Sequence, residues 1–555
     1  MKKTIIVAGA AGEGINTVEM FIEKILKHSG YSIYSYKNYM SRVRGGYNYS
    51  TIVVSSDPVY AIEEQGDIFI ALNKEAHELA SVQLKEDGLL ISEMNHDNVK
   101  TILFSKEEMP HEVKGKNAFA MASVGWVLKY FGVTESNLER ITNKKWRPEV
   151  NASNLAAATW GYEKATLTAD FSKEQPERIL VNGNQAVALG ALSAGLSFYS
   201  AYPMAPSTGI MTYLSANEKE MNIIVEQTED EIAGIMAAVG ASSNGVRAMT
   251  GTSGGGFALM VETLGFAAVS ETPLVVCNVQ RPGPATGLPT RTEQADLAFV
   301  VTASQGEFAR IVLAPLTVED AFYTTHRAFN LADKYQVPVV ILTDQLLADS
   351  TQSIPIFDTK SLSNERYLTV EPVEDYKRYD YDAISGGRKY PGIDKETIIM
   401  TDSHVHDPYG HVTEDEQATV LLKNKFMKRM DAIRTEAKAP LFHGSEDYET
   451  LFISWGSTYG ALKEAVDSLI ENGEKVALLA FSDVFPLSES IMDPYLSKKP
   501  FIINVEGNAM NQFGQILRME TGVRWQASIN KYDGRPFTAN YIMNEFEVIR
   551  NGQSK

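Results

Sequence analysis

Two rhythms of hydrophobic positions alternate along this chain. Compact apolar runs read as strands, and between them apolar residues return every three or four positions, as on one face of a helix. KTIIVAGA is the first such run, INTVEMFIEKILKH behind a glycine-rich turn has helical spacing, and YSIYSY is a second strand, a β–α–β opening. STIVV, DIFIAL, GLLIS and TILF continue the series around the helix FAMASVGWVLKYF, so residues 1–165 are predicted as one α/β domain. A polar stretch containing DFSKEQPER comes next, and residues 166–177 are predicted as a linker. The rhythm resumes at ILVNGNQAVALGALSAG. FYSAY, NIIVEQ, VRAMT, PLVVCNV, RIVLA and PVVILTD then each precede a helix-length segment, which predicts a parallel, doubly wound sheet over residues 178–350. From 351 to 445 the period is lost in charged, tyrosine-rich sequence, predicted as an extended connection in which NKFMKRMDAIRTEA forms one exposed helix. TLFISWGS, KVALLAF and FIINVEGN predict a third α/β unit over residues 446–555.

Composition narrows the function classes. Hydrophobic residues make up 44% and charged residues 22% of the 555, as in an ordinary soluble chain. The net charge of −19 argues against nucleic acid as a partner, because phosphate binding needs clustered Lys and Arg. The apolar run at the N-terminus is too short for a signal peptide, and no stretch approaches the ~20 apolar residues of a membrane span, so a cytoplasmic location is expected. Cys277, in PLVVCNV, is the single cysteine. Alone it forms no internal disulfide, iron–sulfur site or cysteine-rich zinc site, and packing in the core is its expected role.

Candidate chemistry gathers where strands end. AYPMAPSTGIM (201–211) continues an apolar run into two prolines three apart, with hydroxyls just behind them. Tyr202 to Pro206 therefore reads as a rigid strand-to-helix elbow, in the place where open α/β sheets bind ligands. Glu226, Glu229, Asp230 and Glu231 crowd another strand-to-helix turn. The helix macrodipole accounts for three of them, and the fourth reads as a buried carboxylate with a specific basic partner. MTGTSGGGFALM (249–260) sets Thr252, Ser253 and Gly254–Gly256 in a third such turn. Consecutive glycines are conformationally expensive, so they point to close backbone approach by a ligand or partner chain, or else to a plain turn. QRPGPATGLPTRTEQAD (280–296) is a proline-stiffened loop that begins directly after a strand. Arg281 and Arg291 in it can meet an anion, and a rigid loop presenting arginine suits a carboxylate. Gly9, Gly12 and Gly14 form G-x-x-G-x-G at the first turn, either a cradle for a phosphate or pantetheine or a tight structural turn. Arg42 and Arg44 in SRVRGG read as an anion site, an interface or a bulged turn. His404, His406 and His411 with Asp407 lack the spacing of a zinc motif, and no metal ligand is expected.

Taken in order, the glycine-rich start with SRVRGG, VNGNQAVALGALSAG, AYPMAPSTGIM, EDEIAGIMAAVGAS, MTGTSGGGFALM, QRPGPATGLPTRTEQADLAF, DPYGHVTED and VEGNAMNQFGQILR resemble the 2-oxoacid:ferredoxin oxidoreductases. The resemblance is to the large subunit, in which a gamma domain is fused ahead of the alpha domain, and it covers nearly the whole chain. It implies three α/β units: the gamma domain, a thiamine pyrimidine-binding domain and a structural domain like the transketolase C-terminal one. The implied reaction decarboxylates a 2-oxoacid on thiamine diphosphate, passes electrons through [4Fe–4S] clusters to ferredoxin and releases an acyl-CoA. Glu231 matches the family's carboxylate on the aminopyrimidine, where it favours the imino tautomer that deprotonates the thiazolium carbon. Arg281 matches the arginine that grips the substrate carboxylate, and Thr290 lies in the same substrate loop. Tyr202, Pro203 and Ser207 are expected at the substrate, and Thr252, Ser253, Gly254, Gly9, Gly12 and Gly14 at cofactors.

Departures from the family pattern are part of the expectation. Met204 and Ala205 stand where the family has isoleucine and a threonine that reaches substrate, so Ser207 or Thr208 is expected to supply a hydroxyl. Ala11, Gly12 and Glu13 replace a Gly-Gly-Gln turn. No Gly-Asp-Gly loop is present for Mg2+ and diphosphate, and a single cysteine carries no cluster. Both are therefore expected on a beta subunit, which would share the active site in a heterotetramer and dock ferredoxin. 2-Oxoglutarate is the favoured substrate. The alternatives are a paralogue for aryl pyruvates or branched 2-oxoacids, and a non-catalytic scaffold that kept the fold.

Overall fold

In the computed structural model, residues 2–553 are described except 42–44, 106, 111, 112, 114, 116 and 170–176. Arg42, Arg44 and most of the expected linker lie outside the described residues. Among those described, strands form three sheets of eight, seven and five, flanked by helices, which is the α/β class read from the sequence. They belong to two compact units: residues 1–181 with 350–356, and residues 182–349 with 357–555.

The first unit opens with strand Lys2–Ala11, a left-handed turn at Gly12 and Gly14, and helix Ile15–His28. Ile15, Val18, Phe21, Ile22, Ile25 and Leu26 recur at helical spacing, and all are buried against the sheet. Its sheet is mixed. Strand Gly45–Ser55 inserts between the two strands of the β–α–β opening and runs antiparallel to both. Strand Arg178–Asn182, predicted to open the second domain, is instead the sheet's edge strand beside Thr351–Pro355. Ser353 explains part of that return: its hydroxyl accepts from Ile33 N at 2.8 Å, and its carbonyl accepts from Arg178 at 3.1 Å.

In the second unit six parallel strands run in the order Ile311–Leu313, Pro338–Asp344, Leu274–Gln280, Arg247–Thr252, Leu196–Ala201 and Ile224–Gln227. Asp483–Phe485 joins antiparallel at the Ile311 edge. The five-stranded sheet is built on Thr450–Trp455, Val476–Phe481 and Phe501–Glu506. A single apolar cluster, including Phe257, Val276, Leu342, Ile453, Leu479 and Phe513, runs through both sheets. Helix Glu416–Glu436 in the connection is not the exposed helix its composition suggests. Lys425 and Arg429 are buried on it and grip Glu271 at 2.6 and 2.7 Å, and the charges of Arg429 and Lys425 hold the Glu271 carboxyl, despite its burial, down at about 2. No described helix is long and apolar enough to cross a membrane.

Helix Ile15–His28 also buries Glu19 and Glu23 one turn apart. Burial first, and the neighbouring Glu19 second, push the Glu23 carboxyl up to about 8, although the Ser35 hydroxyl donates to it. A carboxyl raised on folding holds its proton in the native state after the unfolded chain has released it, so stability falls as pH rises from about 4.5 towards about 8. The slope is at most about 1.4 kcal/mol per pH unit for one proton. Glu23→Gln is expected to remove this slope: its Tm advantage over the wild type grows from about pH 5 to about pH 8 in scanning calorimetry. A constant difference across that range would contradict the assignment.

Candidate functional site

Four neighbouring strands of the second unit's parallel sheet end at one edge, so their C-terminal residues share that edge. They lead to the Glu231 helix, the elbow at Tyr202, the glycine loop at Ser253 and the loop that starts at Arg281.

Helix Glu231–Ser243 begins with a division of labour among its acidic residues. Asp230 caps it, its carboxylate accepting from Ala233 N at 2.8 Å. Glu226, Glu229 and Asp230 are exposed, as a solvated helix start requires, whereas Glu231 is 4% exposed. Glu231 Oε1 is buried with no hydrogen-bond partner, and the basic partner expected for it is not found among the described residues. The glycine loop faces it instead: a Cβ at Gly256 would lie 2.5 Å from Glu231 Oε1 and 2.1 Å from Thr252 Oγ1. Thr252 and Ser253 are fully buried, and Ser253 caps helix Gly254–Val269 without a side-chain hydrogen bond, its own Oγ unpartnered. A Cβ at Gly254 would stand 2.6 Å from both oxygens of Asp296. Two of the consecutive glycines thus make room for carboxylates of this same chain.

Arg281 and the elbow meet directly. Its Nη1 donates to Ala205 O at 2.7 Å, and Asn184 Nδ2 donates to Pro206 O at 3.1 Å. Ser207 is buried and its hydroxyl donates to Met204 O at 2.7 Å, so that hydrogen closes the elbow instead of facing outward. Tyr202 is exposed and Pro203 half-buried. In the loop, Gly287 (φ 52°) approaches so closely that a Cβ there would sit 1.8 Å from Pro282 O, and Leu288 N donates to that same oxygen at 3.1 Å. Thr290 is half-buried beyond this closure.

The far end of the loop is clamped by the five-stranded sheet. Gln294 N donates to Gly507 O at 2.7 Å, and its Nε2 donates to Trp455 O at 3.0 Å. Its Oε1 accepts from Gly507 N and Thr458 Oγ1, and its carbonyl accepts from Asn508 Nδ2. Next in the chain, Gln512 bonds Ala295 O and Ala298 N. Beside these contacts lies Asp296, a residue that sequence reasoning passed over. Burial pushes its carboxyl up to about 6, against the Asn278 hydrogen bond and the Arg281 charge. An acidic TEQAD closing an arginine-bearing loop was the available signal. Burial also lowers the Arg281 pKa, with Asp296 opposing.

Other sequence candidates belong to other elements. At the first turn Gly12 (φ 94°) and Gly14 (φ 102°) have open space beside them, so backbone conformation alone requires glycine. The Glu13 carboxylate accepts from Ala10 N and Asn73 Nδ2, both at 2.7 Å, and a Cβ at Gly9 would lie 3.0 Å from it. A carboxylate thus occupies an amide that a phosphate would use, which suits the structural-turn reading of that motif. His406 is fully buried against Tyr379 at 4.2 Å between ring centroids, while His404 and His411 are exposed beside aspartates. Among the described residues no group of three or more His, Cys, Asp or Glu is placed to hold a metal. Cys277 is buried, and burial pushes its thiol up to about 12.

Around the edge lies an apolar rim. Ile232 and Met236 on the Glu231 helix and Leu259 on the Gly254 helix are 50%, 41% and 51% exposed. Phe299, set edge-on to Phe257 at 5.5 Å, and Leu288 are exposed as well.

Known proteins resemble the chain along its whole length. Residues 189–430 match the family model described as the thiamine diphosphate-binding part of pyruvate flavodoxin/ferredoxin oxidoreductase, and residues 4–164 match the model for pyruvate ferredoxin/flavodoxin oxidoreductase. The alpha subunit of a 2-oxoacid:ferredoxin oxidoreductase from Sulfolobus sp is 30% identical, with 100% of this chain and 98% of that protein covered. The 2-oxoglutarate synthase subunit KorA of Archaeoglobus fulgidus is 33% identical over 62% of this chain and 90% of its own length. The solved 2-oxoglutarate:ferredoxin oxidoreductase of Magnetococcus marinus, with 2-oxoglutarate, coenzyme A and succinyl-CoA bound, aligns with a TM-score of 0.91 at 30% identity over 99% of both chains.

The clamp makes its own prediction. Gln294→Ala leaves several buried polar groups unpaired, at ~1–3 kcal/mol each, and frees the loop's far end. Hydrogen exchange at residues 282–291 is expected to rise well above that of neighbouring segments. Unchanged exchange there would show that the loop does not depend on Gln294.

Proposed function

The chain belongs to the 2-oxoacid:ferredoxin oxidoreductases as their alpha subunit, and we propose that it supplies the pyrimidine-facing, carboxylate-gripping half of an active site completed by a beta subunit. The favoured reaction is CoA-dependent oxidative decarboxylation of 2-oxoglutarate to an acyl-CoA, CO2 and reduced ferredoxin. The observation that carries this reading is Glu231: a buried carboxylate with one unpartnered oxygen, set against a glycine loop at the strand ends and a few residues from an exposed apolar rim. A buried polar atom without a partner is costly to leave so, and a ring nitrogen of an aminopyrimidine supplies the missing partner. The residues present therefore fit thiamine diphosphate.

That cofactor, when bound, supplies the nucleophilic carbon and the electron sink for decarboxylation. Glu231 holds or moves a proton at the pyrimidine ring nitrogen. Arg281, braced on the Ala205 carbonyl, keeps the rest of its guanidinium fork for the substrate carboxylate. Thr290, Tyr202 and Pro203 are assigned to the substrate as well. The apolar rim of Ile232, Met236 and Leu259 suits a second chain that seals the site from water. The diphosphate with its Mg2+ and the [4Fe–4S] clusters are assigned to that beta subunit, since one cysteine is all this sequence holds. Ferredoxin then docks on the beta subunit, and two copies of each subunit make the assembly. Support for 2-oxoglutarate comes from the Magnetococcus and Archaeoglobus relatives. With the Ser207 hydroxyl hydrogen donated to its own turn and Ala205 exposed at the elbow, an apolar 2-oxoacid is the second reading.

Co-expression with the beta subunit, then anaerobic viologen reduction with CoA over a panel of 2-oxoacids, tests this. A stable complex that turns over 2-oxoglutarate fastest is expected, with preference for an aryl or branched 2-oxoacid favouring the second reading. A complex inert towards every 2-oxoacid contradicts both. Glu231→Gln is expected to lower kcat by roughly 10²–10⁴-fold with the complex intact. Retained turnover would move the pyrimidine contact elsewhere.

A further inference from the structure

Two acidic groups make room for themselves at the glycine loop, and the proposed function uses only Glu231. The other, Asp296, is fixed by the same strand that presents Arg281. Its N–H donates to Gln280 Oε1 at 2.9 Å, and its Oδ2 accepts from Asn278 Nδ2 at 3.2 Å. Gln280 and Asn278 are fully buried, and Arg281 is the next residue in the chain. Gly254 is the reason the carboxylate fits: any side chain there would occupy its space. Behind it the Gln294 and Gln512 hydrogen bonds prevent the chain from moving away. Arg281 meanwhile extends to the Ala205 carbonyl, so Asp296 acts on it through charge.

We propose that Asp296 is a positioning residue for substrate capture: ionised, it compensates the Arg281 charge before substrate arrives, and it takes up a solvent proton when a substrate carboxylate binds that arginine. This rests on the assignment of Arg281 as the carboxylate grip.

The groups facing Asp296 set this balance. Arg281 and the uncapped amide end of helix Gly254–Val269 favour its ionised form. Glu293, whose own carboxyl is raised by burial and by Asp296, is a like charge on the same loop. The strand presents the neutral amides of Asn278 and Gln280, and the Gln512 amide bonds the flanking Ala295 and Ala298. With its carboxyl at about 6, Asp296 is ionised but close to its balance point at neutral pH. A second carboxylate on the same guanidinium is a like charge nearby, which favours the protonated form. Linkage then fixes the sign. Well below about pH 6 Asp296 is already neutral and binding takes up no proton. From there up to the higher value that Asp296 takes once substrate is bound, binding takes up a proton, so affinity weakens as pH rises, by at most about tenfold per pH unit, and levels off beyond. No bond is made or broken, and the proton comes from solvent.

The test measures affinity without turnover. In the assembled complex, 2-oxoglutarate protects Arg281 from phenylglyoxal, and modification is tracked by peptide mass spectrometry across about pH 6.5 to 8.5. The wild-type protection constant is expected to weaken about tenfold over that range, and Asp296→Asn to hold it within about twofold. Asp296→Ser, which is smaller, is expected to flatten the profile in the same way if asparagine impairs assembly. A wild-type profile retained in both variants, or no protection of Arg281 by 2-oxoglutarate, overturns the inference. A complex that turns over 2-oxoacids with a pH-independent protection constant loses this inference and keeps the proposed function. One that is inert but shows the pH-dependent protection, flattened in Asp296→Asn, keeps this inference and loses the proposed function.

Discussion

The site depends on how one loop is held at its two ends. At its start Arg281 leans on the Ala205 carbonyl of the elbow, and at its finish Gln294 is bonded through its N–H, its carbonyl and both ends of its side chain. Proline limits what lies between, and the Gly287–Pro282 approach closes it. The five-stranded sheet thereby acquires a specific task. Its strand ends at Trp455 and Glu506 carry the partners of Gln294, and Glu506 in turn holds Asn508 and the first amides of helix Gln512–Thr521. The shared apolar core of the two sheets keeps these groups in register.

Electrostatics at the edge come from burial without full pairing. Two buried carboxylates elsewhere in the second unit are matched by cations: Glu271 by Lys425 and Arg429, Asp333 by Arg247, Arg366 and Arg388. Those clusters join the connection to the parallel sheet. At the strand ends Glu231 keeps an unpartnered oxygen, and burial holds the Asp296 carboxyl up at about 6. Incompletely compensated carboxyls at a strand-end edge are the usual mark of a working site.

Much of the site is legible in the sequence because it is local. Period and punctuation give the three α/β sheets, and the macrodipole argument leaves one of four carboxylates unexplained, the one that is buried. The elbow and the proline-stiffened loop announce themselves by composition. What escaped is set by residues far apart in the chain. Asp296 is unusual only because Gly254 and Asn278 surround it. Lys425 and Arg429 look solvated until Glu271 is placed beneath them. Ser207 is a plausible outward hydroxyl until the turn shows its hydrogen on Met204 O. Strand Arg178–Asn182 reads as the opening of the second domain, yet its neighbour Thr351–Pro355 lies well over a hundred residues on, and no local pattern reports that pairing.

The central claim is that this chain holds one half of a thiamine diphosphate site, with Glu231 waiting for a ring nitrogen and the apolar rim waiting for a second chain. Equilibrium binding of thiamine diphosphate with Mg2+, read by intrinsic tryptophan fluorescence, tests it most directly. The account predicts no saturable binding by the isolated chain and saturable binding once the beta subunit is added. Equally tight binding by the isolated chain would show a complete site within it, and would contradict the account.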